Sequence, residues 1–340
     1  MKALTIHGKM QITQVETPTP EPGEGQIRLR MAYAGICGSD IHYYFNGANG
    51  EYIVKEPLVP GHEVSGIVDL DPSGDLVPGT PVTVHPATFG KPERGIEDRR
   101  HLWPGGSYLG SASTWPHTQG GMSEYLLVRK DMVRVLPEGL SLERAALAEP
   151  LAVALHAIHI SGGVSGKRVL VSGSGPIGLL GAAAALAMGA KEVTSTDVLT
   201  GPLRRARELG VHKTIHVGVE EIPEMAYDIV FECSGVPAAV SSALVAARRA
   251  GIVVQVGMLP NETKPINLSP FISKEVEYRG CFRFDNEIDD AITLLANDPN
   301  IQKVITHVVE ASNVVEAFEA AKDSETSGKV LVSLWLDDEG

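Results

Sequence analysis

The chain of 340 residues is long enough for two domains at roughly 150 residues each. Its 43% hydrophobic and 21% charged residues exclude global disorder, and its net charge of −13 makes nucleic acid a poor partner. Three cysteines (Cys37, Cys233, Cys281) are too few for a disulfide framework or a four-cysteine metal site, and an odd count suits a reducing compartment.

Met1-Lys2-Ala3-Leu4 opens the chain without the apolar core of a secretion signal. The longest apolar run, 179–188, contains Gly181 and falls well short of the ~20 residues that span a bilayer. A cytoplasmic protein without a membrane partner is therefore expected. Residues 1–150 show short β-rich runs at 26–34, 63–69 and 81–85 between Gly/Pro turns, the texture of an irregular β-rich domain. The stretch 89–121 is polar, Gly-rich and without periodicity, and reads as a long loop or lobe.

From 151 onward strands alternate with helices. Strands are predicted at 168–172, 192–197, 213–217, 228–233, 252–257 and 276–282, and helices at 176–188, 202–209 and 237–249. Each helix has Pro near its first turn and Gly just past its end. The fold class is α/β, with a doubly wound parallel sheet over 151–284. Helical runs at 287–295 and 313–321 and a strand at 329–336 follow. They are too few for a domain, so 285–340 is expected to complete the 1–150 domain, leaving 151–284 as an insertion.

Residues 168–178 form strand, GxGxxG and helix start: Gly173, Gly175 and Gly178, with Pro176 and Ile177 between. The first glycine allows the tight turn, the second lets backbone approach a pyrophosphate, and the third lets helix pack on strand. Asp197 ends the next strand 22 residues beyond Gly175, near the spacing of an acid that binds adenosine ribose hydroxyls. A carboxylate there repels a 2′-phosphate, and Val198-Leu199-Thr200 supplies no cation; Arg204 and Arg205 lie further along. The cofactor expected is NAD rather than NADP.

Three further segments carry metal-type groups: Cys37-Gly-Ser39-Asp40-Ile-His42-Tyr43-Tyr44, Pro60-Gly61-His62-Glu63 and Ala148-Glu149-Pro150. Thiolate, imidazole and carboxylate together suit tetrahedral zinc. Taken singly, each has an ordinary reading: a buried small thiol, a solvated turn, an acid at a helix N-terminus.

Together CGSDIHYY, PGHEVSG and EPLAVALHA, followed by GSGPIG, resemble the zinc-dependent medium-chain alcohol/polyol dehydrogenases along essentially the whole chain. The resemblance implies a GroES-like β-rich catalytic domain joined to a Rossmann domain. It implies Cys37 and His62 as zinc ligands, with Glu63 and Glu149 as carboxylates that ligate or hold the metal's water. Asp40 matches an acid that orients the ligating histidine. Ser39 and His42 match a relay that carries the alcohol proton to solvent, and Gly257 is grouped with the cofactor residues. Many relatives bear four cysteines in the lobe, but 87–110 has none and Trp103 stands near the last position. One catalytic zinc and no structural zinc are therefore expected, in a homodimer or homotetramer.

Tyr43, Arg283 and Phe284 match substrate-contacting positions, and the stretches around 255–258 and 279–284 look most like bacterial L-idonate 5-dehydrogenases. A guanidinium at 283 suits a carboxylate or vicinal hydroxyls, or alternatively pairs with Asp285. The activity expected is oxidation of a secondary alcohol on a sugar acid or polyol, with L-idonate to 5-keto-D-gluconate leading. Sorbitol or xylitol oxidation comes second and threonine oxidation third; a nucleotide-binding sensor is the non-enzyme alternative.

Overall fold

Two sheets organise the chain, and the computed structural model describes residues 1–337. In the first sheet the expected β-rich runs are strands Gln26–Gly35, Glu63–Leu70 and Pro81–Val84. Strand Gln26–Gly35 is central. It pairs antiparallel with Glu63–Leu70 along most of its length, with Tyr125–Arg129 at its start and with Lys329–Ser333 at its end. Leu29, Met31, Val68, Val82, Phe318 and Val330 fill the core of this unit.

The second sheet has six strands, all parallel. In space they run Lys213–His216, Glu192–Asp197, Arg168–Ser172, Tyr227–Glu232, Ala247–Gln255 and Glu277–Gly280. Val169, Leu170 and Val171 are fully buried because helices cover both faces, which is why the strand reads as an unbroken apolar run. Helix Pro176–Ala187 carries mostly alanine where it packs between the sheet and helix Ala148–Ile160. The chain reverses direction across the sheet between Arg168–Ser172 and Tyr227–Glu232, and such a switch point opens a ligand crevice.

Several elements differ from expectation. The helix predicted to 249 ends at Ala246, because the buried Lys274 ammonium donates to the carbonyls of Leu244, Val245 and Ala247 at 2.6, 2.8 and 2.6 Å. The chain then enters strand Ala247–Gln255 directly. Strand 276–282 is shortened to Glu277–Gly280, and the chain turns sharply at Arg283, whose φ is 53°.

The segment after 285 divides rather than returning whole to the first unit. Helix Glu287–Asn297 and the 3-10 stretch Pro299–Val304 place Ile288, Ala291, Leu295, Ile301 and Val304 in the second core. The apolar face of that helix meets helix Ala148–Ile160 in that core. Strand Ile305–Glu310, helix Val314–Lys322 and strand Lys329–Ser333 do rejoin the first unit. The predicted 329–336 strand stops at Ser333 and ends in a 3-10 turn.

The lobe has little regular structure: paired two-residue strands Ala87–Thr88 and Ser107–Tyr108, and a 3-10 turn Arg100–Leu102. Its tethers are polar. The Arg100 guanidinium bonds Asp285 Oδ1 at 2.6 Å and lies 4.3 Å from the Phe89 ring centroid, and Trp103 Nε1 donates to the Ile96 carbonyl at 2.9 Å. Among the described residues no helix is long and apolar enough to cross a membrane.

Candidate active site

Three adjacent strands of the first sheet deliver ionisable groups to one end. Gly35, at the end of the central strand, pairs with Glu63 on one neighbour and Leu331 on the other. Two residues beyond Gly35, Cys37 caps helix Gly38–Asn46, while His62 immediately precedes Glu63. Cys37, His62 and Glu63 each offer a ligand atom, all within 4.8 Å of one another. Gly35 has no alternative here, since a Cβ would lie 2.1 Å from Glu63 Oε2.

The Glu63 carboxylate receives Lys329 Nζ at 2.7 Å on both oxygens, and Lys329 also donates to the Ile36 carbonyl at 3.1 Å. Both side chains are almost fully buried. Burial opposes charge on Lys329, but Glu63, Cys37 and Glu149 outweigh it and raise its pKa. Burial also opposes a charged His62, yet Cys37, Asp40 and Glu149 hold its pKa up to about 10. The nest therefore draws positive charge toward itself.

A zinc ion would meet that demand. The donor set of one thiolate, one imidazole and one carboxylate is the mixture zinc accepts. His62 Nδ1 is buried with no hydrogen-bond partner among the described residues, a cost that few structures leave uncompensated. The residues present fit the metal.

Asp40 lies beneath this cluster, fully buried. Its Oδ2 accepts from Cys37 N at 3.0 Å and its Oδ1 from Gly61 N at 3.3 Å, so it fixes the two ligand-bearing segments through their backbones rather than bonding the His62 ring. Ser39 is half-buried, and His42 is exposed with Nδ1 3.2 Å from Asn46 Nδ2. Tyr43 is buried, its hydroxyl accepting from Ala112 N at 3.1 Å, which anchors the lobe.

Glu149 enters from the first turn of helix Ala148–Ile160 and is 5% exposed. Burial and the neighbouring Glu63 charge raise its pKa, against the pull of His62 and Lys329. Tyr108 donates its hydroxyl to Glu149 Oε1 at 2.5 Å, and burial together with Glu149 pushes the Tyr108 pKa well up. The Arg283 guanidinium lies over the Tyr108 ring at 4.1 Å and the Phe282 ring at 4.8 Å. It forms no ion pair with Asp285, which is taken by Arg100. Its left-handed backbone costs a non-glycine residue about 1–2 kcal/mol and is the kind of strain that collects at functional sites. Phe284, expected near substrate, is instead 1% exposed, with its ring 4.8 Å from His85 in the interior. The strand ends at Gly280 and the chain turns at Arg283, which carries Phe284 into the core.

At the crevice, Gly173 has φ 91° and would bring a Cβ to 2.9 Å from Ser234, while a Cβ on Gly178 would lie 1.9 Å from the Gly173 carbonyl oxygen. Gly175 faces open space, with nothing within 4 Å, at the N-terminus of helix Pro176–Ala187; Ile177 in its first turn is half-buried. Asp197 accepts from Ser174 N at 2.8 Å and Leu199 N at 3.0 Å, so its carboxylate is fixed beside the glycine loop. Gly257 packs against the 233–235 turn, where a Cβ would lie 2.3 Å from Gly235 N.

Sequence reasoning missed Tyr108, Lys329 and Glu232. Buried Glu232 accepts from Ser234 N at 2.8 Å, Gly235 N at 3.0 Å and Gln255 Nε2 at 2.5 Å, and so shapes the crevice wall. A lysine opening an otherwise apolar terminal strand was a usable signal for Lys329; Tyr108 had none.

The comparisons agree with this geometry. Residues 23–138 match the alcohol dehydrogenase GroES-like domain, and 176–297 match the zinc-binding dehydrogenase domain. Sorbitol dehydrogenase of Gallus gallus is 35% identical over 337 residues, covering 95% of this chain and 94% of that protein. L-idonate 5-dehydrogenase (NAD(P)(+)) of Escherichia coli (strain K12) is 32% identical over 336 residues, covering 97% of each. The crystal structure of L-idonate 5-dehydrogenase from E. coli K-12 superposes with a TM-score of 0.91 at 31% identity, covering 98% of this chain and 97% of that one. That of 2R,3R-butanediol dehydrogenase from Bacillus subtilis gives 0.86 at 27% identity, covering 98% and 99%.

Proposed function

The chain belongs to the zinc-dependent medium-chain alcohol and polyol dehydrogenases, and from that premise we propose an NAD⁺-dependent, one-zinc enzyme that oxidises a secondary alcohol of a sugar acid, with L-idonate to 5-keto-D-gluconate as the leading reaction. The observation that carries the chemistry is the Cys37–His62–Glu63 cluster, with Cys37 half-buried and His62 and Glu63 buried. When bound, zinc supplies Lewis acidity that lowers the pKa of a coordinated hydroxyl, as it lowers that of water from ~15.7 to ~7, and the nicotinamide supplies the hydride acceptor.

The chain's own groups do the rest. Cys37 and His62 would hold the metal, with Glu63 or Glu149 as the carboxylate. Lys329 neutralises the buried Glu63 charge. Ser39 accepts the alcohol proton as it releases its own hydroxyl proton, through the nicotinamide ribose, toward His42, whose exposure gives it access to water. Arg283, with no ion pair or hydrogen bond among the described residues, clamps the substrate carboxylate. The amides after Gly173 and Gly175 meet the pyrophosphate, and Asp197 meets the adenosine ribose. NAD is preferred to NADP because Arg205 is spent on the carbonyls of Ser324 and Glu325, and Arg204 pairs with Glu208. A homodimer or homotetramer fits an edge strand, Glu277–Gly280, with Met258 and Ile272 exposed.

The second reading is polyol oxidation of the sorbitol or L-iditol type, favoured by the sorbitol dehydrogenases among the relatives. Initial rates of NAD⁺ reduction with L-idonate and L-iditol at equal concentration separate the two. Idonate ahead by about tenfold, ~1.4 kcal/mol, supports carboxylate recognition. Iditol equal or ahead replaces it with the polyol reading, and a chain that shows neither turnover nor bound zinc supports a nucleotide sensor.

A further inference from the structure

Tyr108 touches three parts of the site that sequence reasoning treated separately. It is 5% exposed, donates to Glu149 Oε1 at 2.5 Å, carries the Arg283 guanidinium on its ring at 4.1 Å and meets the His62 ring edge-on at 5.4 Å. An anion and a cation thus lie against one phenol, each held by different chemistry: the O–H donates to the carboxylate, and the electron-rich ring attracts the guanidinium. Glu149 and Arg283 nevertheless form no ion pair, and Arg283 has no hydrogen bond among the described residues. The remaining acid close in sequence, Asp285, is taken by Arg100.

We propose that Tyr108 is a positioning residue that holds Glu149 and Arg283 apart, so that the guanidinium donors stay free for a carboxylate or vicinal diol of the substrate. The inference rests on the dehydrogenase reading above and deepens it. An ion pair between the two would consume the donors, and each substrate molecule would have to break it. Tyr108 is the second residue of the short strand Ser107–Tyr108, and delivering it gives the cysteine-free lobe a place in the active site.

The test compares Tyr108→Phe, which keeps the ring, with Tyr108→Leu, which removes ring and hydroxyl, each with and without Arg283→Ala, in the full zinc-loaded chain. Arg283→Ala is expected to raise substrate KM about tenfold or more in the parent and in Tyr108→Phe, but less than about threefold in Tyr108→Leu, whose own KM is already raised. KM for NAD⁺ and zinc affinity by chelator competition should stay within about threefold of the parent throughout. Equal, multiplicative Arg283→Ala effects in all backgrounds overturn the proposal, as does loss of zinc from Tyr108→Phe. A crystal structure of Tyr108→Leu decides without turnover: an Arg283–Glu149 ion pair is expected, and a guanidinium left in place overturns the proposal. A parent that binds zinc yet oxidises neither sugar acid nor polyol defeats the functional reading, while the crystallographic outcome still judges Tyr108.

Discussion

The dinucleotide crevice draws its groups from the short stretch 173–178, Asp197 and the wall formed by Glu232 and Gly257, all within one domain, whereas the metal nest gathers Cys37, His62, Glu63, Glu149 and Lys329 from segments spread over nearly the whole chain. The crevice works through backbone: a left-handed glycine, a helix N-terminus, and one carboxylate fixed by two amides. The nest works through buried charge, where each ionised group depends on another. Interactions of the first kind are spread over many atoms and lose strength gradually. Those of the second kind fail together, because a lone buried charge costs several kcal/mol. Substitutions should therefore have large and non-additive effects in the nest and moderate ones at the crevice.

The largest effect is expected from Cys37→Ala. Loss of a ligand should exceed the 10–100-fold typical of outer partners, giving about 10³-fold or more in kcat/KM, ~4 kcal/mol, together with loss of bound zinc. Full activity with zinc retained would remove the metal nest from the chemistry altogether. Next comes Lys329→Met, which strands the Glu63 charge in the interior. Breaking a buried pair of this kind costs about 3–5 kcal/mol, read from the urea midpoint of the metal-free protein. Adding Glu63→Leu should recover most of that loss. If the double variant is no more stable than the single, the two groups are not coupled and the contrast with the crevice weakens.

The same contrast explains what the sequence made legible. Strand Arg168–Ser172 matches its predicted bounds because a strand buried on both faces is an apolar run and its helix is bracketed by Pro and Gly; Glu192–Asp197 matches as well, although Val193 is its only apolar residue. The crevice lies in that local pattern. Cys37, His62, Glu63 and Glu149 were found through their motifs, but Lys329 was not, because its partner is 266 residues away. Tyr108 sits in a lobe without periodicity, so nothing local marked it. The helix Glu287–Asn297 was predicted, but its partner was not, since an apolar face does not say which of two cores it will join. Phe284 was misplaced because the predicted strand to 282 ends at Gly280 and the chain turns at Arg283, which buries the Phe284 ring.

Glu287, at the start of helix Glu287–Asn297, sharpens the comparison through pH. It accepts from His156 Nδ1 at 2.7 Å and from Asp285 N at 2.8 Å; the His156 and backbone interactions outweigh burial and lower its pKa to about 2. A depressed folded-state pKa stabilises the fold at pH above the unfolded value. That contribution fades as pH falls from about 4.5 toward 2. Glu287→Gln should therefore cost about 2–3 kcal/mol at pH 7, and the gap to the parent should close over that acid range in urea titrations. A gap that stays constant down to pH 2 would mean that Glu287 acts by shape rather than by charge.

At the crevice, Asp197→Asn should have the smallest effect, because it keeps the outline of the side chain and one of the two acceptors that hold Ser174 N and Leu199 N. What it removes is the negative charge proposed to meet the ribose hydroxyls and to repel a 2′-phosphate. Discrimination between NAD⁺ and NADP⁺ in kcat/KM should fall about tenfold, ~1.4 kcal/mol, while unfolding stability moves within ±0.5 kcal/mol. The residual preference for NAD⁺ then measures what Arg205 withholds by bonding the carbonyls of Ser324 and Glu325. Should selectivity vanish entirely, Asp197 alone sets it, and the crevice resembles the metal nest in resting on one charge. Should it not change, the discrimination is spread through the backbone, as the glycine loop and its helix N-terminus imply.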